Sequence, residues 1–170
     1  AAARELFRRE VDIGVRRLEL PELKIAPWMI EQDLFKSLQS LPGVLAVSDF
    51  SSALYVRGGS PDQNLVLLDG VTGYNPYHLG GLFSTFNMDA LAGAELKAGA
   101  FPAEYGGAVS SVLDVEMKQG NSERVSAKWD VGLLTSKVMV EGPIPRGSFL
   151  VAGRRTYIDA VTWTIDKLIR

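Results

Sequence analysis

A chain of 170 residues with 46% hydrophobic and 22% charged residues has the composition of a folded globular protein, long enough for one domain and the start of a second. Its 18 basic and 20 acidic residues leave a net charge of −2 with no dense Lys/Arg block, which disfavours a nucleic-acid binder. The absence of cysteine excludes disulfides and thiolate metal sites and leaves the compartment open.

No stretch approaches the roughly 20 apolar residues of a membrane-spanning helix, and residues 1–10 (AAARELFRRE) lack the apolar core of a signal peptide. The sequence stops just after a newly begun amphipathic segment, so it reads as part of a longer chain. Residues 1–29 form an N-terminal extension. The alternation of Val11, Ile13 and Val15, then Leu18 and Leu20, with Pro21 and Pro27 as breakers, fits a short strand or an extended linker. From Ile30 to Leu41 the apolar residues Ile30, Leu34, Phe35, Leu38 and Leu41 recur every three or four positions, which predicts an amphipathic helix ended by Pro42–Gly43.

Beyond Gly43 short apolar runs alternate with glycine-rich turns. Leu54–Val56, Leu65–Leu68 and Val112–Val115 read as strands, and Asn87 is a candidate N-cap for a brief helix over Asn87–Leu91. Residues 30–118 therefore make an α+β domain: a small mixed sheet with short helices and Gly-rich loops. A polar connection, 119–125, leads to a predicted strand over Ser126–Glu141, a turn at Gly142–Gly147 and an antiparallel partner over Ser148–Tyr157. Strands of about ten residues with short turns are the weak signature of a transmembrane barrel. Within one continuous strand, however, Val138 and Val140 share a face with Lys128 and Asp130, which suits a soluble hairpin equally well. The spacing of Ile158, Val161, Ile165, Leu168 and Ile169 predicts a short helix in a loop.

Six motifs stand in order across the middle of the chain: Leu41-Pro-Gly-Val44, Tyr55-Val-Arg-Gly-Gly-Ser60, Leu67-Leu-Asp-Gly-Val71, Ala94-Glu-Leu-Lys-Ala-Gly99, Tyr105-Gly-Gly107 and Ser110-Ser-Val-Leu-Asp-Val115. The series resembles the plug domain of TonB-dependent receptors. Pro76–Phe86 and Phe101–Gly107 resemble a Bacteroidetes-like branch, in which a carboxypeptidase-regulatory-like domain commonly precedes the plug. The resemblance covers residues 30–118 as plug and places 119–170 as the first antiparallel hairpin of the surrounding transmembrane β-barrel.

The resemblance implies an outer-membrane transporter of Gram-negative bacteria with the plug inside the barrel lumen, no cofactor, and three partners: periplasmic TonB, a small-molecule or oligomeric nutrient ligand, and outer-membrane lipid around the barrel. It implies that Arg57 and Glu95 are the charged positions of an ionic lock between plug and barrel, with Arg57 buried against acidic residues of the wall. Many relatives carry a basic residue just before the glycine of the AELKAG segment. This chain has Ala98 there and Lys97 one place earlier, and a one-residue shift turns a strand side chain to the opposite face, so Lys97 is not expected to replace that contact. The loop Tyr74, Asn75, Tyr77, His78 is implied to face substrate, although a lone histidine is more often structural.

Gly58, Gly59, Asp69, Gly70, Gly106 and Gly107 are the candidate turn-formers, with Asp69 expected to bond its own backbone. RGGSPDQN lacks the Gly-Lys-Ser/Thr ending of a phosphate loop. A single histidine without ligand spacing supports no metal site, and Ser110 and Ser111 have neither a neighbouring base nor a nucleophile elbow, so no catalytic residue is assigned. Two other readings stand beside the transporter: a soluble or surface ligand-binding module with a plug-like fold, and a hydrolase with an unrecognised site.

Overall fold

The computed structural model describes residues 14–19, 21–22, 32–73, 75–78, 81–99, 101–132, 135–157 and 167. The predicted tail helix and Ile30 lie outside them. The chain divides into two units, Ala1–Met117 and Lys118–Arg170.

The first unit is built on a five-stranded mixed sheet. Its strands are β1 (Val15–Glu19), β4 (Asn64–Leu68), β5 (Val71–Thr72), β8 (Leu91–Ala98) and β9 (Ser111–Met117), in the order β1-β8-β9-β4-β5. Only the β4–β9 pair is parallel. Two small hairpins, β2 (Val44–Leu45) with β3 (Tyr55–Val56) and β6 (Tyr77–His78) with β7 (Phe83–Ser84), complete it. The strands read from the sequence at 54–56, 65–68 and 112–115 are present with shifted ends. The first strand comes from the N-terminal extension, where β1 pairs along β8 from Val15↔Lys97 to Glu19↔Gly93.

One sheet face carries Leu18, Val66, Ala94, Leu96, Ala98, Leu113 and Val115, and these pack with Leu34, Phe35 and Leu38 of α1 (Leu34–Gln39) into the core. The helix is shorter than the apolar spacing predicts, for a local reason. Asp33 is extended (φ −137, ψ 138), and its Oδ1 accepts from the backbone N–H groups of Phe35 at 3.0 Å and Lys36 at 3.3 Å, so the helix starts there. Its Oδ2 accepts from Ser84 N at 2.7 Å and Ser84 Oγ at 2.8 Å, tying the helix to β7. At the other side of α1, Lys36 Nζ donates to the carbonyls of Ser48, Asp49 and Ser51 at 3.3, 2.7 and 2.7 Å and holds the following loop. The brief helix predicted at Asn87–Leu91 is one 3₁₀ turn, Met88–Ala90, capped as expected by Asn87, whose side chain accepts from Asp89 N; Leu91 already belongs to β8.

The second unit corrects the sequence reading. The predicted strand over Ser126–Glu141 is two strands, β10 (Ser126–Val131) and β11 (Thr135–Ile144), and Gly142 and Pro143 lie inside β11 instead of in a turn. With β12 (Gly147–Thr156) they form an antiparallel meander. The chain reverses at Gly132, whose N–H bonds Thr135 O at 2.8 Å. That reversal changes the faces. Paired residues of β10 and β11 have opposite parity, Trp129↔Val138 and Ala127↔Val140, so the valines stand with Trp129 and not with Lys128 and Asp130. One face then holds Ala127, Trp129, Val131, Val138, Val140, Ile144, Phe149 and Val151 with Arg155 at its end, and the other Lys128, Asp130, Lys137, Glu141 and Arg154 together with Met139, Leu150 and Ala152.

Asp33 is fully buried with four donors around it. Asp33→Ala is expected to cost about 2–4 kcal/mol, since it removes a cap and leaves buried N–H groups unpaired. Ser84→Ala, which deletes one hydroxyl donor, should cost about 1 kcal/mol. Urea denaturation of the two variants measures the order.

Candidate functional site

The turn after β3 is locked into a strained but well-tied shape. Arg57 (φ 47) and Gly58 (φ 85) are both left-handed, and Arg57 N bonds Gly43 O at 2.9 Å while Gly59 N bonds Val56 O at 2.9 Å. Gly59 has a different reason to be glycine. A Cβ there would lie 2.2 Å from Ser110 Oγ, which itself donates to Val56 O at 2.7 Å. Gln63 O accepts from both Val109 N and Ser110 N, so the turn and the segment entering β9 are one hydrogen-bonded block.

The Arg57 side chain crosses the ends of β1 and β8: a Cβ on Gly99 would meet its Nη1 at 2.6 Å, and one on Gly14 its Nη2 at 3.2 Å. Arg57 is exposed in this chain, at the rim of a cavity of about 170 Å³ bordered by Gly14, Pro42, Val56 and Ala98. It does not meet Glu95. The Glu95 carboxylate is held instead by Arg17 Nη2 at 3.0 Å on Oε2 and Lys97 Nζ at 3.1 Å on Oε1. Residues 95 and 97 share a face of β8 two positions apart, opposite the core, so Lys97 is turned toward the acid. Its ammonium also lies 5.2 Å from the Tyr105 ring centroid, which ties the loop after β8 into the cluster. Asp114, the cross-strand neighbour of Glu95, completes the charged row.

Burial pushes the Glu95 carboxyl up, but hydrogen bonds from Arg17 and Lys97 and their charges outweigh it and leave the group below its ordinary value. Burial likewise pulls Lys97 down, and the Glu95 bond and charge more than restore it, so it titrates above its ordinary value. The two limbs are unequal: the Lys97 side chain is 11% exposed and that of Arg17 77%, so solvent screens the Arg17 limb.

In the expected ligand loop, Tyr74 and the His78 side chain lie outside the described residues. Asn75 is exposed and left-handed (φ 64). Tyr77 turns inward, edge-on to Phe35 with centroids 5.1 Å apart, and burial raises its hydroxyl above the ordinary value. Beside them an open cleft of about 350 Å³ is lined by Ser51, Ala53, Pro61, Asn75, Tyr77 and Gly81. Asp69 (φ 49) and Gly70 (φ 78) form the β4–β5 turn, but the Asp69 carboxylate accepts from Met117 N at 2.9 Å across the sheet and not from its own turn. Gly107 is left-handed (φ 87), and neither it nor Gly106 has a neighbour crowding its Cβ position.

Residues 30–112, which contain the Arg57 turn, the Glu95 pair and the Asn75 loop, match the family described as the TonB-dependent Receptor Plug Domain. Those residues are a TonB-dependent receptor plug domain by that match. Such plugs belong to outer-membrane receptors and transporters of Gram-negative bacteria. The siderophore receptor PirA from Pseudomonas aeruginosa shares the fold with a TM-score of 0.57 at 19% identity, over 84% of this chain and 27% of that one. The outer membrane transporter YddB from Escherichia coli gives 0.52 at 14% identity, over 75% and 23%. The ferric-catecholate import receptor Fiu from E. coli K12 gives 0.52 at 19%, over 84% and 21%. This chain thus spans about a quarter of the length of the structures it resembles. An 84% share of 170 residues exceeds the 117 of the first unit, so the likeness to PirA reaches into the strands that follow the plug. No curated protein sequence matches the chain.

The plug sequence announced Arg57 and Glu95 and drew notice to Lys97, two positions from Glu95 on one strand, but Arg17 emerges only from the β1–β8 pairing. Its signal was the alternating charge in Arg17, Glu19 and Glu95, Lys97, legible only once both segments are known to be neighbouring strands.

Two measurements test this plug geometry. Gly59→Ala is expected to destabilise by about 1–3 kcal/mol through overpacking against Ser110, with Ser110→Gly restoring most of it, while Gly106→Ala stays within about 0.5 kcal/mol. For Glu95, the lowered folded-state value means its stabilising bonds are complete above the ordinary 4.5 and are lost as pH falls through the folded value. The stability difference between wild type and Glu95→Gln should therefore be flat from about pH 5 upward and shrink on acidification. At the alkaline end the Lys97 share is complete below the ordinary 10.5 and is lost as pH rises from there through the raised folded value.

Proposed function

We propose that this chain is the plug and the first barrel strands of an outer-membrane transporter that takes up a scarce nutrient with energy delivered through TonB. The observation that carries the reading is the two-faced meander that follows the plug in sequence. Trp129, Val131, Val138, Ile144 and Val151 are 79%, 76%, 50%, 51% and 66% exposed on one side of it. Each such side chain is worth about 1.5–3 kcal/mol on leaving water, so the face forgoes on the order of 10 kcal/mol if it stays wet. The opposite side mixes Met139, Leu150 and Ala152 with the charged Lys128, Asp130, Lys137, Glu141 and Arg154, and a barrel interior is the polar side of such a sheet. A soluble binding module has no use for such a face, which sets the transporter above that alternative.

In this reading the plug occupies the lumen, residues 1–29 lead toward the TonB-contacting end, and a small-molecule or oligomeric nutrient is taken by outward loops that include Asn75. Arg57, exposed in this chain beside the Gly14–Gly99 crossing, takes its counter-charge from the barrel wall. The cluster of Glu95 with Arg17 and Lys97 keeps the plug's own edge strand seated while that contact forms.

Expressed in an outer membrane, the complete receptor should transport only when TonB is present. Arg57→Ala should raise leakage of small solutes by loosening the plug, and unchanged permeability and protease resistance would count against the lock. Val140→Lys, in the centre of the apolar face, should cost about 2–4 kcal/mol of barrel stability, and Lys137→Gln on the other face much less. The folded fraction in membranes, read by heat-modifiable gel mobility, separates the two.

A further inference from the structure

The apolar face of the meander carries one charge at its rim. Reading across the three strands, the outward positions are 127, 129 and 131 on β10, 136 to 144 in steps of two on β11, and 147 to 155 in steps of two on β12. All are apolar, glycine or serine except Arg155, and no carboxylate stands among them. Exposure along β12 alternates in step, with Val151, Gly153 and Arg155 exposed and Ala152, Arg154 and Thr156 partly covered. Arg155 pairs across the sheet with Ser136, one row beyond Trp129 and the Val138–Gly153 pair.

Position decides what a cation on such a face costs. An arginine directed at hydrocarbon costs about 2–4 kcal/mol at the bilayer centre and about 0–1 near the boundary. From the Val140–Val151 row, Arg155 lies four residues along its strand, about 13 Å, or about 10 Å of height at a tilt of roughly 40°. Half of an apolar band about 25 Å tall is close to that height, so the guanidinium sits at the boundary. A flexible stem lets it reach further outward. Trp129, one row inward and 79% exposed, stands where an interfacial aromatic belongs. The planar, always-charged fork matches two oxygens of a phosphate.

We propose that Arg155 is a lipid-headgroup site: its guanidinium takes the phosphate of an anionic membrane lipid whose chains cover the Val138, Val140 and Val151 face. The inference rests on the barrel reading of the meander and adds to it a selected lipid charge at a named residue. The occupant is a lipid because a long apolar strip closed by a single cation, with no carboxylate among the outward positions of the three strands, is complementary to an acyl chain ending in an anion.

The 170 residues contain no cysteine, so Val138→Cys gives a single bimane label on the same face within them. The labelled protein is reconstituted in phosphatidylcholine vesicles doped with equal fractions of either brominated phosphatidylcholine or brominated phosphatidic acid. Quenching by the acidic lipid is expected to exceed that by the neutral one by about five-fold local enrichment, the population ratio for one cation at an anionic surface. Arg155→Gln should bring the two to parity, Arg155→Lys should keep part of the preference, and Arg146→Gln, in the turn at the far end, should keep all of it. Free inorganic phosphate should not abolish the preference. Equal enrichment with and without Arg155 overturns the headgroup site while quenching by the neutral lipid leaves the barrel reading standing. Absence of quenching by either lipid means that water, another strand or a second copy covers the face, and overturns both.

Discussion

The pairing of β8 between β1 and β9 is the constraint on which the plug depends. Side chains of a strand alternate, so a strand hydrogen-bonded on both edges must satisfy two environments at once. Ala94, Leu96 and Ala98 meet the core under α1, and Glu95 and Lys97 meet Arg17, Asp114 and Tyr105 on the other side. Glu95 and Lys97 are there largely removed from water, which is tolerable because they pair with each other. Loss of β1 would strip Arg17 from Glu95 and uncover Leu18, leaving Lys97 as the remaining cation on the carboxylate. The edge strand and the charge cluster are therefore one cooperative feature.

The glycine-rich connections follow from the same economy of space. Arg57 lies across Gly14 and Gly99, where any side chain would collide with it or with the Ala98 carbonyl, and Gly59 admits the hydroxyl of Ser110. Each close approach joins segments far apart in sequence without adding apolar bulk. Polar side chains supply the rest: Asp33 fastens α1 to β7, Lys36 gathers three carbonyls of the next loop, and Asp69 reaches Met117. A domain that presents many short loops on a small core holds them by such bonds, because loops bury too little apolar area to hold themselves.

The meander obeys a different rule. It has an apolar side exposed to its surroundings and a charged side, and within its own strands Glu141 collects Ser126 at 2.9 Å and Lys118 at 3.8 Å. Among the described residues its edge strands, β10 and β12, are each paired in the sheet on one side only, which suits a sheet continued by further strands. The plug family and the faces of this sheet point to one setting from independent physical grounds.

Much of this was legible in the residues. Ordered glycine motifs, short apolar runs and the Asn87 cap each have a local cause, so plug-like texture, strand positions and the capped turn could be read directly from the sequence. The apolar spacing of Leu34, Phe35 and Leu38 also revealed a helix, though its start belonged to Asp33, whose bonds to Ser84 lie 51 residues away. What only the tertiary structure decided is what depends on pairing between distant segments: that Val15–Glu19 closes the sheet, that Arg17 reaches Glu95 from the neighbouring strand, and that Arg57 faces two glycines. The reversal at Gly132 is the sharpest instance. A period-two pattern assigns faces only within an unbroken strand, so the break between Val131 and Thr135 sufficed to move Val138 and Val140 from the company of Lys128 and Asp130 to that of Trp129.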